Sequence, residues 1–397
     1  MRILLIIVCI LGALKPAWAL EVSGYAGIES LGFIHDANYD NQHNHYLSGV
    51  IQPEIFHEWD DGRQNFAFVP FYRYSQHDSR RTHFDIRELS WLKAAETWEL
   101  RVGIRKVFWG VAESQHLVDI VNQTDWVENI DGEDKLGQPM INLALIRDWG
   151  TLDLFVLPGF RERRFPGEEG RNRPPIPISM DHANFSKDGF ERQMAYAMRW
   201  SASFNVWDIG LSHFYGTSRD PLILLEFDPA TGKPRLIQRY DTINQTGLDV
   251  QMTEGNWLWK LEAIVRSGQR NTYFAGTGGF EYTFFGVFDT GLDLGLLAEY
   301  LYDSRGRTNR SLFAFEDDFL VALRFGFNDA QSTEILAGVL FDRNSSTKFY
   351  SIEASRRIAA NWKLSVEARL FGQVANDDQA FFLKDDDHIR AELTFHF

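Results

Sequence analysis

Cysteine is almost absent from this sequence, and its single copy, Cys9, lies near the beginning of the chain. Residues 20–397 therefore offer no disulfide, no thiolate nucleophile and no cysteine-ligated metal site. Long apolar runs are also missing, because no stretch after residue 19 approaches the length of a transmembrane helix. Basic residues are outnumbered, with 40 Lys and Arg against 55 Asp and Glu, which argues against a nucleic-acid partner.

Residues 1–19 have the composition of an export signal. Arg2 precedes an apolar segment over residues 3–14, and Ala17-Trp18-Ala19 forms a small-x-small cleavage site. We therefore predict a cleaved signal peptide, 1–19, and a single domain, 20–397. Cleavage would remove Arg2 and Lys15 but no acid, so the formal charge of −15 would become −17.

Aromatic residues make up 14% of the chain, with 32 Phe, although the mean hydropathy is only −0.28. Apolar and polar residues alternate over segments of about ten residues, which is the period of a β-strand. The last segment is the clearest, since Ile389, Leu393 and Phe395 alternate with Arg390 and Glu392. In a membrane barrel the apolar face would meet lipid and the polar face the lumen.

The same pattern predicts eighteen strands, with a phase change near Glu88 that indicates a bulge or a misplaced boundary. The predicted strands are 22–33, 46–58, 64–75, 84–94, 97–109, 140–148, 151–158, 191–202, 204–216, 241–252, 256–267, 271–285, 289–302, 313–327, 331–343, 347–359, 361–374 and 387–397. Long and short connections alternate between them in the first half of the chain. The predicted fold is therefore all-β: a transmembrane antiparallel up-and-down β-barrel of about 18 strands (16–18), with long extracellular loops and short periplasmic turns.

Two further features favour the outer membrane. Aromatic residues cluster near both predicted barrel ends, as in the girdles of membrane barrels: Trp98, Trp207, Trp257 and Trp362 at the short turns, and Tyr72, Tyr74, Trp109, Tyr300, Phe341 and Tyr350 at the long loops. The terminal Phe397 resembles the C-terminal signal that the bacterial barrel-assembly machinery recognises. We therefore expect outer-membrane lipids and that machinery as partners.

The third long loop, 110–139, is the most distinctive segment. Trp109-Gly110 is followed by an acidic residue and by Asp119, Asn122 and Asp125 in Asp-x-x-Asn-x-x-Asp spacing. This pattern resembles uncharacterised porin-like outer-membrane proteins, although Gln123 stands where that pattern has proline. In general porins the third loop folds inward, and the resemblance implies a constriction formed by Glu113, Asp119, Asn122, Asp125, Glu128, Asp131 and Glu133.

Charged residues of lumenal phase would form the wall facing this loop. The candidate pore-lining residues are Arg73, Glu99, Arg101, Arg105, Arg199, Lys260, Glu262, Arg266, Arg324, Glu367, Arg369, Arg390 and Glu392. Arg101 and Arg105 lie on the strand that leads into the loop, so we expect them above all to pair with its acids. Opposed charges across a narrow pore would orient dipolar solutes.

The sequence thus predicts a channel for passive diffusion of small hydrophilic solutes, with no catalytic residue, cofactor or metal. Two alternatives remain: a barrel plugged by its own loops that serves export or surface attachment, and an outer-membrane hydrolase. A loose calcium site of Asp125, Asp131 and Glu133 is also open. The fourth loop, 161–186, is expected to be a lid or partly disordered, since Pro174, Pro175 and Pro177 suit neither helix nor strand.

Overall fold

The computed structural model describes residues 20–306 and 315–397, so the predicted signal peptide lies outside the described residues. Their strands are β1 Leu20–Phe33, β2 His45–Trp59, β3 Gln64–Ser75, β4 His83–Ala94, β5 Trp98–Arg105, β6 Gln138–Arg147, β7 Gly150–Pro158, β8 Ile178–Phe185, β9 Met194–Phe204, β10 Trp207–Thr217, β11 Leu222–Phe227, β12 Pro234–Tyr240, β13 Thr242–Glu254, β14 Trp257–Ser267, β15 Tyr273–Val287, β16 Leu292–Asp303, β17 Asp317–Gly326, β18 Glu334–Asp342, β19 Lys348–Ala359, β20 Trp362–Gly372 and β21 His388–His396. A short helix, α1 Gly189–Gln193, and a 3-10 helix, Gln379–Leu383, complete them. None of the helices in these ranges is long and apolar enough to cross a membrane.

Eighteen of the strands form one closed antiparallel barrel, which confirms the predicted all-β antiparallel barrel and its strand number. Each barrel strand pairs with the next along the chain, and β1 closes the ring against β21 from Tyr25–His396 to Phe33–His388. Even the last residue joins this seam, because the Phe397 backbone exchanges two hydrogen bonds with Gly24. Closure leaves no free sheet edge.

The alternation of side chains separates the two faces of the wall. On β14, Trp259, Leu261 and Val265 are 43%, 44% and 50% exposed, whereas Glu262 and Arg266 are 0% and 6% exposed. The apolar residues thus face outward, while the polar residues face an interior that is largely filled by protein.

The phase change predicted in β4 is a β-bulge. Val69 pairs with Glu88 and Pro70 with Ile86, so Arg87 is the extra residue. A bulge shifts the strand by one position, and both Arg87 and Glu88 can consequently point into the barrel.

The fourth and fifth long connections contain structure that the sequence analysis missed. β8, β11 and β12 form a separate three-stranded sheet, here named the cap sheet. β11 and β12 make an antiparallel hairpin, and β12 also pairs in parallel with β8. The expectation of a partly disordered fourth loop is therefore wrong for residues 178–185. Prolines 174, 175 and 177 precede β8, as their stiffness requires.

Candidate functional site: a loop inside the barrel

The connection between β5 and β6, residues 106–137, lies inside the barrel and is called the third loop below. Its side chains Val118 and Val121 are fully buried. They belong to an apolar cluster with inward-facing residues of the wall: Met140, Phe155, Leu157, Ala195, Ala197, Phe214, Ile243, Ile264, Tyr273 and Ala275. This burial removes apolar surface from water and holds the loop against β6–β15.

Two glutamates of the wall hold the backbone at the start of the loop. Glu262 accepts hydrogen bonds from the backbone N–H groups of Val111, Ala112 and Val118 at 2.7, 3.0 and 3.2 Å. Glu299 accepts from the N–H groups of Glu113 and Ser114, both at 2.8 Å. Charged acceptors bind N–H groups more strongly than neutral ones.

Gly110 explains why a glycine follows Trp109. Its φ of +137° is unfavourable for a residue with a side chain, and a Cβ there would lie 2.8 Å from Glu262 Oε1. Glycine lets the carboxylate approach the loop backbone. The Trp-Gly pair of the sequence motif is thus part of the contact that docks the loop.

Arginines from β3 and β4 hold the middle of the loop. Arg73 Nε donates to both oxygens of Glu128, at 2.7 and 3.0 Å. Arg87 Nη2 donates to Asp125 Oδ2 at 2.9 Å. Asp125 is completely buried, and the opposing effects of burial, which raises the pKa of its carboxyl, and of His83 and Arg87, which lower it, leave that pKa below its usual value.

A third group of contacts joins the loop to β20. Arg369 Nη2 lies 3.2 Å from Asp131 Oδ2, and Asn129 donates to Glu367 Oε2 at 3.1 Å. Burial raises the pKa of Asp131 to about 7, against the opposing effect of Arg369. The loop therefore contacts widely separated parts of the wall.

The Asp-x-x-Asn-x-x-Asp residues hold the fold of the loop, although Asp119 and Asn122 also line a cavity beside it. Asn122 accepts a hydrogen bond from the Val107 N–H and donates to the Arg105 and Leu136 carbonyls, at 2.8, 2.8 and 2.9 Å. It thereby joins the two ends of the loop. Asp119 pairs with Lys135 at 3.2 Å across the same loop.

His116 is a further charged group of the loop. Its Nε2 lies 2.9 Å from Glu133 Oε1 and its Nδ1 3.8 Å from Glu262 Oε1. Burial alone would lower the pKa of the imidazole, but the two carboxylates raise it to about 10. His116 is consequently a cation at neutral pH.

Two large cavities lie between the third loop and the wall. The upper cavity, about 650 Å³, lies against the loop and the inner faces of β14–β20. The lower cavity, about 510 Å³, is lined by β17–β21 and by Glu113. Glu113, Leu336 and Glu353 line both, so the cavities adjoin at these residues.

The predicted pore-lining residues fall into two groups. Arg266 and Arg369 line the upper cavity, and Arg324, Glu367, Arg390 and Glu392 line the lower one. The others line neither: Arg73, Glu99, Arg101, Arg105, Arg199, Lys260 and Glu262. Arg73 and Glu262 are covered by the third loop, and Arg199 pairs with Asp249 at 2.6 Å. The predicted constriction residues of the loop also divide into two groups. Those that line the upper cavity are Glu113, Asp119, Asn122, Asp131 and Glu133. Asp125 and Glu128 are instead buried in ion pairs with Arg87 and Arg73.

Three expectations from the sequence need correction. Arg101 pairs with Glu99 at 2.5 Å, and the nearest carboxylate to Arg105 is Glu88 at 3.8 Å, so neither arginine binds the acids of the loop. Their strand precedes the loop, but the loop turns away from it across the barrel. Trp109 belongs to the interior cluster and not to an outer aromatic girdle. The predicted strand 97–109 ends at Arg105 for the same reason.

Sequence reasoning also missed several loop partners, notably Arg81, Arg87 and Glu299, and it missed Glu29, which binds the loop partners Arg73 and Arg81. Arg81 donates to Glu29, to the Val127 carbonyl and to the Glu128 carbonyl. Strand phase could have placed Glu29 and Glu299 inside, but nothing in the alternation tells which side chain a distant loop will meet. For calcium, no group of three or more potential metal ligands converges within residues 20–306 and 315–397.

No protein family and no curated protein matches the sequence. Among solved structures, one mutant of the Rh. blastica porin has 11% identity and a TM-score of 0.46, and another has 10% identity and a TM-score of 0.45. Each comparison covers 95% of this chain and 100% of the porin chain.

Proposed function

We propose that this protein is an outer-membrane channel for the passive diffusion of small hydrophilic solutes, with the third loop narrowing its lumen. The observation that carries the proposal is the loop fixed inside a closed barrel, with two adjoining cavities left beside it. The walls of the cavities carry charges of both signs, which suits polar solutes.

Membrane insertion is supported by the outer surface. Large apolar side chains are exposed on strands around the barrel, among them Ile28, Tyr74, Val102, Leu211, Leu261, Phe274, Val321, Ile352 and Ile389. Water-soluble monomers rarely expose apolar patches beyond a few hundred Å². Lipid is the environment in which such a surface is stable, and the seam that ends at Phe397 is where assembly machinery would act.

Conductance tests this proposal directly. Refolded protein in a planar lipid bilayer should give discrete channels in KCl. A heat-modifiable barrel that never conducts would contradict the channel and favour the loop-plugged alternative.

Ion selectivity tests the role of the loop. We expect the triple variant Glu113→Gln, Asp131→Asn and Glu133→Gln to shift the reversal potential in a KCl gradient toward anions, because these acids line the upper cavity. The matched control removes three acids that line neither cavity: Asp181→Asn, Glu226→Gln and Asp228→Asn. Equal shifts in the two variants would place the loop outside the conduction path.

Asp125 is a poor choice for such a test, although the sequence would suggest it with Asp119 and Asp131. Asp125→Asn would leave the buried Arg87 without its closest loop carboxylate. Arg87 would keep Asp85 as its remaining ionic partner, but removing one member of a buried ion pair is strongly destabilising. A change of selectivity in that variant would reflect altered docking of the loop and not the electric field of the charged residues in the pore.

A further inference from the structure

The upper cavity has features that passage of hydrophilic solutes does not require. Its volume, about 650 Å³, lies within the roughly 300–1,000 Å³ typical of small-molecule sites. Two arginines in its lining have no acidic partner among the residues that the structure describes, and part of its lining is apolar.

Arg266, on the inner face of β14, is the first of the two arginines. Its Nε donates to Gln245 Oε1 at 2.7 Å, and its guanidinium lies 5.7 Å from the Tyr273 ring centre. No carboxylate in the described ranges lies within ion-pair distance of it. The remaining segments, 1–19 and 307–314, contain no Asp or Glu.

Arg219 is the second, and it follows β10 at the same cavity. It is 4% exposed, and within the described ranges its guanidinium donates only to backbone carbonyls, those of Val121 and Thr217 at 3.1 and 3.3 Å. Its buried Nη2 has no hydrogen-bond partner among the residues that the structure describes. Burial lowers the pKa of its guanidinium to about 10, so it still carries its charge at neutral pH.

The other basic side chains of the cavity have acidic partners. Arg163 pairs with Asp220 at 3.3 Å. Further pairs are Lys135–Asp119, Arg305–Asp303 and Arg369–Asp131. The acids of the cavity are paired too, Glu113 with Arg324 and Glu133 with His116. Acids and cations of the lining are equal in number, His116 included, but Arg219 and Arg266 have no acid within ion-pair distance among the described residues. A buried charge without such a partner calls for an anion.

The apolar part of the lining lies on β17–β19. Leu320 pairs with Leu340, and Ala322 pairs with Gly338, on the inner face of β17 and β18. Phe349 of β19 adjoins Leu340 and lines the same cavity. Inward-facing apolar side chains are unexpected beside a water-filled pore, because the lumen of such barrels is polar.

We propose that the upper cavity binds an organic anion with an apolar body, whose carboxylate contacts Arg219 and Arg266 and whose body contacts the Leu320–Leu340 patch. This inference rests on the proposed channel function, because the organic anion would be the class of solute that the channel carries. Binding itself can be measured without conduction. A guanidinium presents paired donors that match a carboxylate, and the patch gains from removing an apolar body from water.

The test uses three small probes and the whole refolded barrel in detergent. Phenylacetate has both parts, acetate lacks the apolar body, and 2-phenylethanol lacks the charge. Titration calorimetry should show phenylacetate binding at least about tenfold more tightly than either of the others, since one charge-assisted hydrogen bond alone is worth about that factor. Similar affinities for phenylacetate and 2-phenylethanol would overturn the anion site, and similar affinities for phenylacetate and acetate would overturn the apolar patch.

Variants assign the binding to these residues. Arg266→Gln should weaken phenylacetate by about tenfold and leave 2-phenylethanol unchanged. Leu320→Asn should reduce the preference for phenylacetate over acetate. Arg343→Gln, an exposed arginine outside both cavities that pairs with Asp317, is the control. A normal phenylacetate affinity in a heat-modifiable Arg266→Gln barrel would refute the proposal, and conductance without any probe binding would refute it while leaving the channel intact.

Discussion

Glu262 shows how much of this interior depends on single side chains. Its phase on β14 points it inward, and its carboxylate is fully buried among three loop N–H groups. These N–H groups belong to a segment without regular secondary structure, so the carboxylate satisfies donors that would otherwise be buried and unpaired. The side chain thus replaces the hydrogen bonds that a strand partner would provide.

We expect Glu262→Ala to release the start of the third loop. Each N–H group left buried without an acceptor costs about 1–3 kcal/mol, so the loop should detach in part. Trypsin should then cleave after Lys106 or Lys135 faster than in the original protein, and single-channel current should become noisier. Glu353→Gln, an inward-facing glutamate without a hydrogen bond to the loop, is the control. Unchanged cleavage in Glu262→Ala would contradict the anchoring role.

At the scale of the element, each barrel strand has an apolar outer face and a more polar inner face. This difference between the two faces determines which structural features can be predicted from the sequence. On β19, Ile352 is 47% exposed on the outer face, while Ser351 and Glu353 line the upper cavity. Period-2 alternation follows from this arrangement, which is why strand positions could be predicted from the sequence. The bulge at Arg87 was visible for the same reason, as a break in the alternation.

We expect Ile352→Arg to harm assembly far more than Ser355→Arg on the same strand. A cation facing lipid near mid-depth costs ~2–4 kcal/mol, whereas Ser355 lines the wet lower cavity. Yield of heat-modifiable protein in outer-membrane fractions measures the difference. Equal yields would show that the outer face of β19 does not meet lipid.

The connections between strands were harder to predict, and the reason is physical. The cap sheet packs Ile178, Ile223 and Leu236 against Trp126 of the third loop. Its strands are short and are stabilised by a loop that itself depends on the barrel. No local pattern encodes such contacts, and the partners of Asp125 and Glu128 were missed for the same reason.

At the scale of the molecule, closure joins the first strand of the barrel to the last. The β1–β21 seam satisfies backbone groups along both strands, and no barrel strand is left with an unpaired edge. The eighteen strands and their order could be predicted because they follow from alternation and connection length. The filling of the interior could not, because it joins residues that are far apart in the chain.

We expect the folded protein to be heat-modifiable. A closed, fully hydrogen-bonded barrel should resist SDS until boiled, and the unboiled form should migrate differently on a gel. Circular dichroism should show predominantly β-structure in the unboiled sample. Co-migration of boiled and unboiled samples would contradict the closed barrel.

The position of the third loop in the chain has a consequence for the order of folding. Glu113 and Arg324 are separated by 211 residues, and Asn129 and Glu367 by 238. Contacts between such distant residues form late, because a long segment must be ordered first. The loop precedes β17 and β20 in the chain, so it is synthesised before them. Until these two strands are in place, the loop lacks two of its docking sites. Docking of the loop and sealing of the β1–β21 seam should therefore occur together. The interior of the barrel is then filled by the loop only at the stage when the barrel closes.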